Sequence, residues 1–263
     1  MKSLRQTLKK RKKKLVKDLG GKFLWSLERM VEKYSKVPTT PLLDPYRFNW
    51  PALLEKNWHA IRWEMNHILE FRETLPNFQE ISEDQQSISD DDNWKTYFLY
   101  GFGYKAAANC ARCPQTTRLI EQIPGMKTAF FSILKPGKHI PEHRGVFKGI
   151  LRYHLGLKVP EPREQCWFRI GDQMLHWEEG KSLLFDDTYP HEVKNDTGGT
   201  RVVLLIDVVR PLKFPANLIN KTLIGLIKRS SYVQDARRNQ QAWEKRFNTK
   251  VKKRKVRNKL LLL

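Results

Sequence analysis

The stretch Arg201-Val-Val-Leu-Leu-Ile-Asp-Val-Val209 and the earlier run Lys127-Thr-Ala-Phe-Phe-Ser-Ile-Leu134 decide the fold class. Both runs are short and rich in β-branched, leucine and aromatic residues, which is typical of buried strands. Three runs of the same kind lie between them, at Gly149–Val159, Cys166–Ile170 and Lys181–Phe185. Glycine and proline turns separate the runs, and no helix-length periodic segment interrupts them. The sequence therefore predicts a mainly β fold with flanking helices, built on an antiparallel barrel or jelly-roll core.

Outside this region the composition changes, and we divide the 263 residues into four segments. Leucine and aromatic residues recur every three or four positions in the first segment, which predicts a basic amphipathic helix. The second segment contains helical periodicity over residues 50–74 and an aromatic run, Trp94–Tyr104, that we interpret as a strand. The predicted segments are a basic helix (1–36), a helical and mixed N-terminal part of the catalytic domain (37–125), the β core (126–211) and a basic helical C-terminal tail (212–263).

The positive charge lies at the two ends of the chain. Residues 1–36 hold 13 Lys/Arg and 3 Asp/Glu, and residues 210–263 hold 16 and 2, whereas the middle is nearly neutral. Such ends favour an anionic partner, namely a membrane surface, lipid phosphate or nucleic acid. The few aromatic residues of the tails lack the interleaving with basic residues that RNA-binding segments show, which argues against nucleic acid. A first helix packed on its own domain, with a solvated basic face, is the alternative.

No run approaches the roughly 18 apolar residues that span a bilayer, and the basic N-terminus lacks the apolar region of a secretory signal. We therefore expect a cytoplasmic protein, peripheral on the inner face of the membrane. The three cysteines do not suggest a disulfide framework. Cys110-x-x-Cys113 resembles half of a zinc site or a redox pair, but no second pair follows at suitable spacing. The alternative is two small residues at a turn before Pro114.

The β region also holds the candidate functional residues. Arg152 and His154 are two residues apart on a predicted strand and so point to the same face, which is either the interior or solvent. His143 and His191 follow carboxylates in predicted loops at strand edges. Imidazole is a suitable ligand for Fe(II), and two histidines with one carboxylate form a common oxygenase site. Arg201, at the start of the last strand, adds a second inward cation.

These residues carry a resemblance to a known family. The segments His143-Arg-Gly-Val-Phe-Lys-Gly-Ile-Leu-Arg-Tyr-His-Leu-Gly-Leu157 and Trp177-Glu-Glu-Gly-Lys-Ser-Leu-Leu-Phe-Asp-Asp-Thr-Tyr-Pro-His-Glu-Val193, followed by Arg201, are similar to the aspartyl/asparaginyl β-hydroxylase family. The similarity covers about residues 126–211. The layout around it, with Val37-Pro-Thr-Thr-Pro41, resembles the lipid A acyl-chain hydroxylase branch of the family.

The resemblance implies a double-stranded β-helix fold and the use of Fe(II), O₂ and 2-oxoglutarate. It implies that His143 and His191 bind the metal and that Arg201 binds the distal carboxylate of 2-oxoglutarate. A planar guanidinium makes a bidentate pair with a carboxylate, which agrees with this role. The resemblance further places three residues near the metal or co-substrate: Arg152, His154 and Ser132.

One position departs from the common pattern of the iron site. Gly145 stands two residues after His143, where a His-x-Asp motif has a carboxylate. The peptidyl aspartyl branch resembles this chain in having glycine there, whereas the lipid A branch has aspartate. Asp187, four residues before His191, is a candidate carboxylate for iron or for a bound water. The alternative for Asp187 is a role in capping the turn.

The sequence thus leads to three functional hypotheses. The first is an Fe(II)/2-oxoglutarate-dependent dioxygenase that hydroxylates an acyl chain of lipid A or a similar anionic lipid at the membrane surface. The second is a hydroxylase of Asp or Asn side chains in a peptide substrate. The third, from another class, is an inactive barrel that binds lipid or nucleic acid through its basic ends.

Overall fold

The computed structural model of the chain describes residues 25–260, without the side chains of residues 84–85 and 251–260. Two antiparallel sheets lie at its centre, one of seven strands in the order β1-β9-β6-β11-β4-β2-β3 and one of four in the order β5-β10-β7-β8. The strands are β1 (Leu42–Leu43), β2 (Trp94–Gly101), β3 (Tyr104–Lys105), β4 (Met126–Leu134), β5 (Lys138–His143), β6 (Ile150–Lys158), β7 (Cys166–Ile170), β8 (Gln173–His176), β9 (Ser182–Phe185), β10 (His191–Asn195) and β11 (Arg201–Val209).

Helices surround the sheets. The described part of α1 covers residues 25–34. The others are α2 (Trp50–Lys56), α3 (Trp58–Leu69), α4 (Phe78–Ile81), α5 (Ala107–Arg112), α6 (Pro114–Ile120), α7 (Ala216–Arg229) and α8 (Ser231–Leu260). Single 3₁₀ turns lie at Pro45–Arg47, Arg72–Thr74, Glu83–Ser87 and Arg163–Gln165.

Both faces of the large sheet are covered. Leu151, Tyr153 and Leu155 on β6 pack, fully buried, in one cluster with the helices α2, α3 and α8. The opposite face, which carries His154, meets the small sheet, where Phe168 on β7 lies 6.3 Å from the His154 ring. A strand covered on both faces can be apolar throughout, which explains the unbroken apolar runs of the sequence. The two antiparallel sheets with flanking helices form a jelly roll, which confirms the predicted fold class.

Most of the strands that the sequence did not predict belong to the small sheet. The strands β5, β8 and β10 were not predicted, because they are short and carry alternating polar residues. In β5 the apolar Ile140 is 2% exposed, and the neighbouring His139 and Pro141 face solvent. We predicted that His143 and His191 lie in loops, which is wrong: His143 ends β5, His191 begins β10, and the two residues are paired.

The predicted helix over residues 50–74 is interrupted at Asn57, which ends α2 and precedes α3. Helix α3 carries the buried carboxylate Glu64 toward the start of α6. Its oxygens accept hydrogen bonds from the backbone N–H groups of Gln115 and Thr116, both at 2.8 Å. Since the first N–H groups of a helix have no partner within the helix, Glu64 satisfies two of them and joins the two helices.

The two cysteines of the C-x-x-C motif lie at the junction of α5 and α6. Cys110 belongs to α5, and Cys113 is the residue between the two helices. Both thiols are free and buried, and burial raises the pKa of each. This is the environment of thiols that pack as small apolar groups.

The C-terminal segment is helical, as predicted, and much of it packs on the rest of the molecule. Trp243 and Phe247 of α8 are 6% and 1% exposed, and their rings stack with centroids 4.7 Å apart. The Trp243 indole N–H donates to the carbonyl of Thr74 at 2.9 Å. Residues 1–24 of the predicted basic helix, and residues 261–263, lie outside the described part. The four predicted segment boundaries remain predictions, although β1, β2 and β3 extend the sheet beyond residues 126–211.

Candidate active site

His143 and His191 are adjacent on the paired strands β5 and β10, with ring centroids 4.1 Å apart. Each ring Nδ1 lies within hydrogen-bond distance of a carbonyl two residues earlier, Pro141 at 2.8 Å and Tyr189 at 2.9 Å. A neutral imidazole that donates from Nδ1 keeps its Nε2 lone pair for a metal, and such carbonyl contacts orient metal-binding histidines. Burial lowers the pKa of both rings, that of His191 to about 3. Both rings are therefore neutral near pH 7.

Arg201 begins β11 and is 1% exposed. Its Nη1 donates a long hydrogen bond, 3.4 Å, to the carbonyl of Ser132, and its Nε has no partner among the described residues. The guanidinium carbon lies 4.5 Å from the centre of the Trp177 ring. Burial lowers the pKa of Arg201 to about 10, since no carboxylate in the described part pairs with it. A buried guanidinium without a counter-ion is the arrangement expected for an anion site.

His154 presents a second unsatisfied donor beside Arg201. The Trp177 indole N–H donates to its Nδ1 at 3.3 Å, so the neutral ring carries its proton on Nε2. That Nε2 is buried and has no partner within the described part of the chain. Burial and the positive charge of Arg201 hold the pKa of His154 well below its usual range. The sequence left the face of His154 open, and the structure places it inward. Ser132 lies nearby on β4, where its Oγ accepts from the Trp94 indole N–H at 3.0 Å.

Arg152 differs from Arg201, because protein carboxylates surround it. Its Nε donates to Asp207 at 2.8 Å, and its Nη1 pairs with Asp187 at 3.1 Å. Burial lowers the pKa of Arg152, but the two carboxylates outweigh burial and raise it overall. The anion that a buried Arg152 requires is thus supplied by the chain itself. Contact between Arg152 and a co-substrate remains a prediction.

Asp187 fills the space beside Gly145. A Cβ added to Gly145 would overlap the Asp187 carboxylate, and the Gly145 N–H donates to the Asp187 carbonyl at 2.6 Å. Burial raises the pKa of Asp187 to about 6, against the opposing effect of Arg152. Capping of the turn belongs to its neighbour Asp186, which accepts from the Thr188 N–H and hydroxyl. Residues 25–260 contain no group of three or more His, Cys, Asp or Glu residues arranged to bind a metal.

A buried ionic cluster supports the loop between β9 and β10, which leads to His191. Asp186 and Arg210 have fully buried side chains and form an ion pair at 2.5 Å, and Lys148 lies 3.2 Å from the same carboxylate oxygen. Arg210 also donates to the carbonyls of Lys148 and Pro38, at 2.9 and 3.2 Å. The loop between β9 and β10 is therefore bonded to Arg210, just after β11. Through Arg210 it is also linked to Lys148 before β6 and to Pro38 before β1.

Sequence reasoning missed two residues of this site. Trp177 contacts both Arg201 and His154, but tryptophan occurs so often in cores that its position alone carries no signal. Asp207 was detectable in principle. A single carboxylate within an apolar strand must be paired, and Asp207 lies opposite Arg152 in the β11–β6 register.

The fold and the site together define a jelly-roll protein with two adjacent histidines and a buried arginine that no carboxylate of the described residues pairs with. The chain belongs to the aspartyl/asparaginyl β-hydroxylase family, whose sequence model matches residues 55–211. It is a hydroxylase by that membership and by its relatives, which supports the resemblance that the motifs carried.

Two relatives illustrate the range of the family. The chain is 47% identical over 215 residues to an ornithine lipid ester-linked acyl 2-hydroxylase from Rhizobium tropici, covering 82% of this chain and 76% of that protein. It is 32% identical over 199 residues to the human aspartyl/asparaginyl beta-hydroxylase, covering 73% of this chain but only 25% of that longer protein.

Among solved structures, a cupin domain of an Enterobacter cloacae transcriptional regulator matches 45% of this chain and 99% of its own, with 12% identity and a TM-score of 0.32. Within residues 25–260, no helix has the length and apolar character needed to cross a bilayer.

Proposed function

We propose that this protein is an Fe(II)- and 2-oxoglutarate-dependent dioxygenase that hydroxylates an ester-linked acyl chain of an ornithine lipid or a related membrane lipid. One observation carries the reaction class: two neutral histidines lie in the same barrel as a buried arginine that has no counter-ion among the described residues. The lipid substrate is supported by the relative that is 47% identical. The sequence predicted lipid A or a similar anionic lipid as the substrate. This relative extends the proposed substrates to other acylated lipids, of which the ornithine lipid is the first to test.

The residues present fit this cofactor set. The Nε2 atoms of His143 and His191 would hold Fe(II), whose affinity for imidazole matches the donors. The unpaired guanidinium of Arg201 would bind the distal carboxylate of 2-oxoglutarate, and Nε2–H of His154 would donate to the same co-substrate. When bound, iron would supply the oxidative chemistry, in which one atom of O₂ enters the succinate formed with CO₂ from 2-oxoglutarate and the other enters a C–H bond of the substrate.

Asp187 takes a supporting role in this proposal. The Asp187 carboxylate lies beside Gly145, two residues after the proposed ligand His143. The Arg152 guanidinium pairs with this carboxylate at 3.1 Å and fixes its orientation. In that place it would orient a water on the metal by accepting a hydrogen bond. The Arg152 guanidinium thus acts through Asp187.

A direct test uses the purified full chain with Fe(II), 2-oxoglutarate and O₂. Mixed micelles of ornithine lipid, lipid A, or an Asp/Asn-containing peptide are offered separately, and mass spectrometry measures the gain of one oxygen atom. We expect oxygen gain in the ornithine lipid acyl chain, matched by succinate and absent when iron or 2-oxoglutarate is omitted. Oxidation of the peptide alone would establish the peptidyl alternative, which the glycine at position 145 favours. Failure to bind iron and 2-oxoglutarate would leave the inactive binding barrel.

A further inference from the structure

Large apolar side chains are exposed on α7, just before it, and in the loop to which α7 is hydrogen-bonded. Leu218, Ile219 and Leu226 of α7 are 60%, 40% and 57% exposed, Phe214 just before the helix is 76% exposed, and Val146 in the loop after His143 is 81% exposed. We call these five residues the α7 surface. Scattered apolar residues are ordinary on a protein surface, but several on the outer side of one helix mark a candidate binding face.

Helix α7 is apolar on two opposite sides. Ala216, Asn220 and Ile224, spaced four residues apart, face the domain and are buried. Leu218 and Leu226 point away from that side, because successive residues of a helix are about 100° apart. A helix that only covers its own domain has a polar outer side. The outer side of α7 therefore lacks a partner among residues 25–260.

Helix α7 is hydrogen-bonded to the loop that leads away from His143 in the candidate active site. The Asn220 amide donates to the carbonyl of Gly149 at 3.0 Å, which attaches α7 to the loop that follows β5. In that loop Val146 is adjacent to Gly145, whose N–H donates to the carbonyl of Asp187. Exposed apolar groups thus begin within three residues of His143.

The charge around this surface is positive. Residues 210–230 contain five Lys/Arg and no Asp or Glu. The acidic residues of α1 that face the same loop already form ion pairs. Glu28 pairs with Arg144 at 3.7 Å, and Glu32 pairs with Lys148 at 3.4 Å. A second copy of the chain would bring two basic surfaces together, which is unfavourable. An apolar strip bordered by lysine and arginine suits the boundary between anionic headgroups and acyl chains.

We propose that the α7 surface inserts into an anionic lipid bilayer and holds the mouth of the active site against the acyl chains. The partner is a lipid bilayer; this deepens the proposed function, since an acyl-chain hydroxylase must meet its substrate there. Bilayer binding itself does not depend on the chemistry of the site.

The test uses a fluorescent label in the full chain. The three native cysteines are buried, so one added exposed cysteine can be labelled selectively with the environment-sensitive dye NBD. Leu226→Cys reports on the α7 surface. Met174→Cys on β8, 52% exposed, is the matched control away from α7. With phosphatidylglycerol/phosphatidylcholine vesicles we expect a blue shift and severalfold brightening at position 226, and no change at position 174.

A second measurement is vesicle co-sedimentation of the triple variant Phe214→Ser/Leu218→Ser/Leu226→Ser. We expect it to need roughly tenfold more lipid for half-maximal binding, because three side chains no longer enter the bilayer. Iron binding should be unchanged.

Several results would overturn the proposal. These are equal dye responses at the two positions, a dye at position 226 that is shielded before vesicles are added, or a triple variant that binds like the wild type. If the α7 surface binds vesicles but no lipid is hydroxylated, the proposed function fails while the docking surface stands.

Discussion

Arg201 shows how a single residue can favour function at the expense of stability. A base whose pKa is lower in the folded protein than in the unfolded chain destabilises the fold at every pH below the folded value. For Arg201 that value is about 10, so the full cost is present at neutral pH. A bound carboxylate would remove this cost by pairing with the guanidinium.

We therefore expect Arg201→Met to stabilise the ligand-free protein by roughly 1–4 kcal/mol, because it replaces an unpaired buried charge with an apolar chain of similar length. The same change should abolish 2-oxoglutarate binding. Urea unfolding and calorimetric titration measure the two effects. Arg201→Lys should recover little binding, since an ammonium cannot form the bidentate pair. A destabilised Arg201→Met with unchanged 2-oxoglutarate affinity would show that Arg201 is structural.

The histidine pair leads to a second prediction at this scale. His143→Ala or His191→Ala should lower iron affinity by at least a hundredfold and abolish turnover, because each removes one of the two imidazoles that the proposed site offers within the described residues. The fold should persist. His139→Ala is the matched control, since His139 belongs to the same strand but pairs with Glu192 at 2.6 Å on the exposed side. Iron content and circular dichroism check both statements, and normal iron content in either ligand variant would contradict the assignment.

At the scale of elements, helix α8 contributes to the core through Trp243. Trp243→Ala should lower the free energy of unfolding by roughly 3–5 kcal/mol, because the ring is 6% exposed and packs against Phe247 and Tyr97. Trp63→Ala is the control, because the Trp63 side chain on α3 is 60% exposed. Urea denaturation of both variants measures the difference. Equal losses would mean that α8 is a dispensable tail.

The loop between β9 and β10 depends on Asp186. Asp186→Asn should destabilise the protein by roughly 3–5 kcal/mol, because Arg210 and Lys148 would lose their buried counter-ion. Asp196→Asn, which alters an exposed pair with Lys194, should change stability by less than about 0.5 kcal/mol. Thermal unfolding separates the two. A neutral effect of Asp186→Asn would imply that water reaches this cluster.

Most of the strands that were predictable from sequence belong to the large sheet. The run Arg201–Val209 coincides with β11, since a strand buried on both faces is apolar at most positions. The run Cys166–Ile170 coincides with β7 of the small sheet. Strands β5 and β10 were not predicted, because only one face of each strand is buried and few of their positions are therefore apolar. For the site, the resemblance to the family identified the candidate residues. Their burial in the structure explains why the two histidines are neutral and why Arg201 is suited to an anion. Among the described residues no carboxylate pairs with Arg201, whereas two pair with Arg152. This difference depends on which strands are adjacent, which no local pattern encodes.

At the scale of the whole molecule, two forces can act on a membrane. Residues 1–24 carry ten Lys/Arg and one Asp, and each basic residue contributes at most about 1 kcal/mol near an anionic surface. This attraction is screened by salt, whereas insertion of apolar side chains is not.

We expect deletion of residues 1–24 to weaken binding to anionic vesicles at 0.1 M salt, and 1 M salt to mimic the deletion. At 1 M salt the Debye length is only about 3 Å, so the remaining binding should come from apolar contact. Co-sedimentation at both salt concentrations measures this, with iron binding as the control for folding. If full-length protein ignores anionic vesicles at low salt, peripheral attachment to the membrane fails.

The contact between Gly145 and Asp187 restricts how the proposed iron site can change by mutation. Gly145→Asp alone would force a second carboxylate into space that Asp187 already occupies, and Asp187→Gly alone would leave Arg152 with Asp207 as its one remaining partner. Each single step is therefore unfavourable, whereas the exchange of both residues keeps one carboxylate in the same volume. The two positions form an epistatic pair, so a mutational route between a His-x-Gly and a His-x-Asp site crosses a fitness valley unless both codons change together.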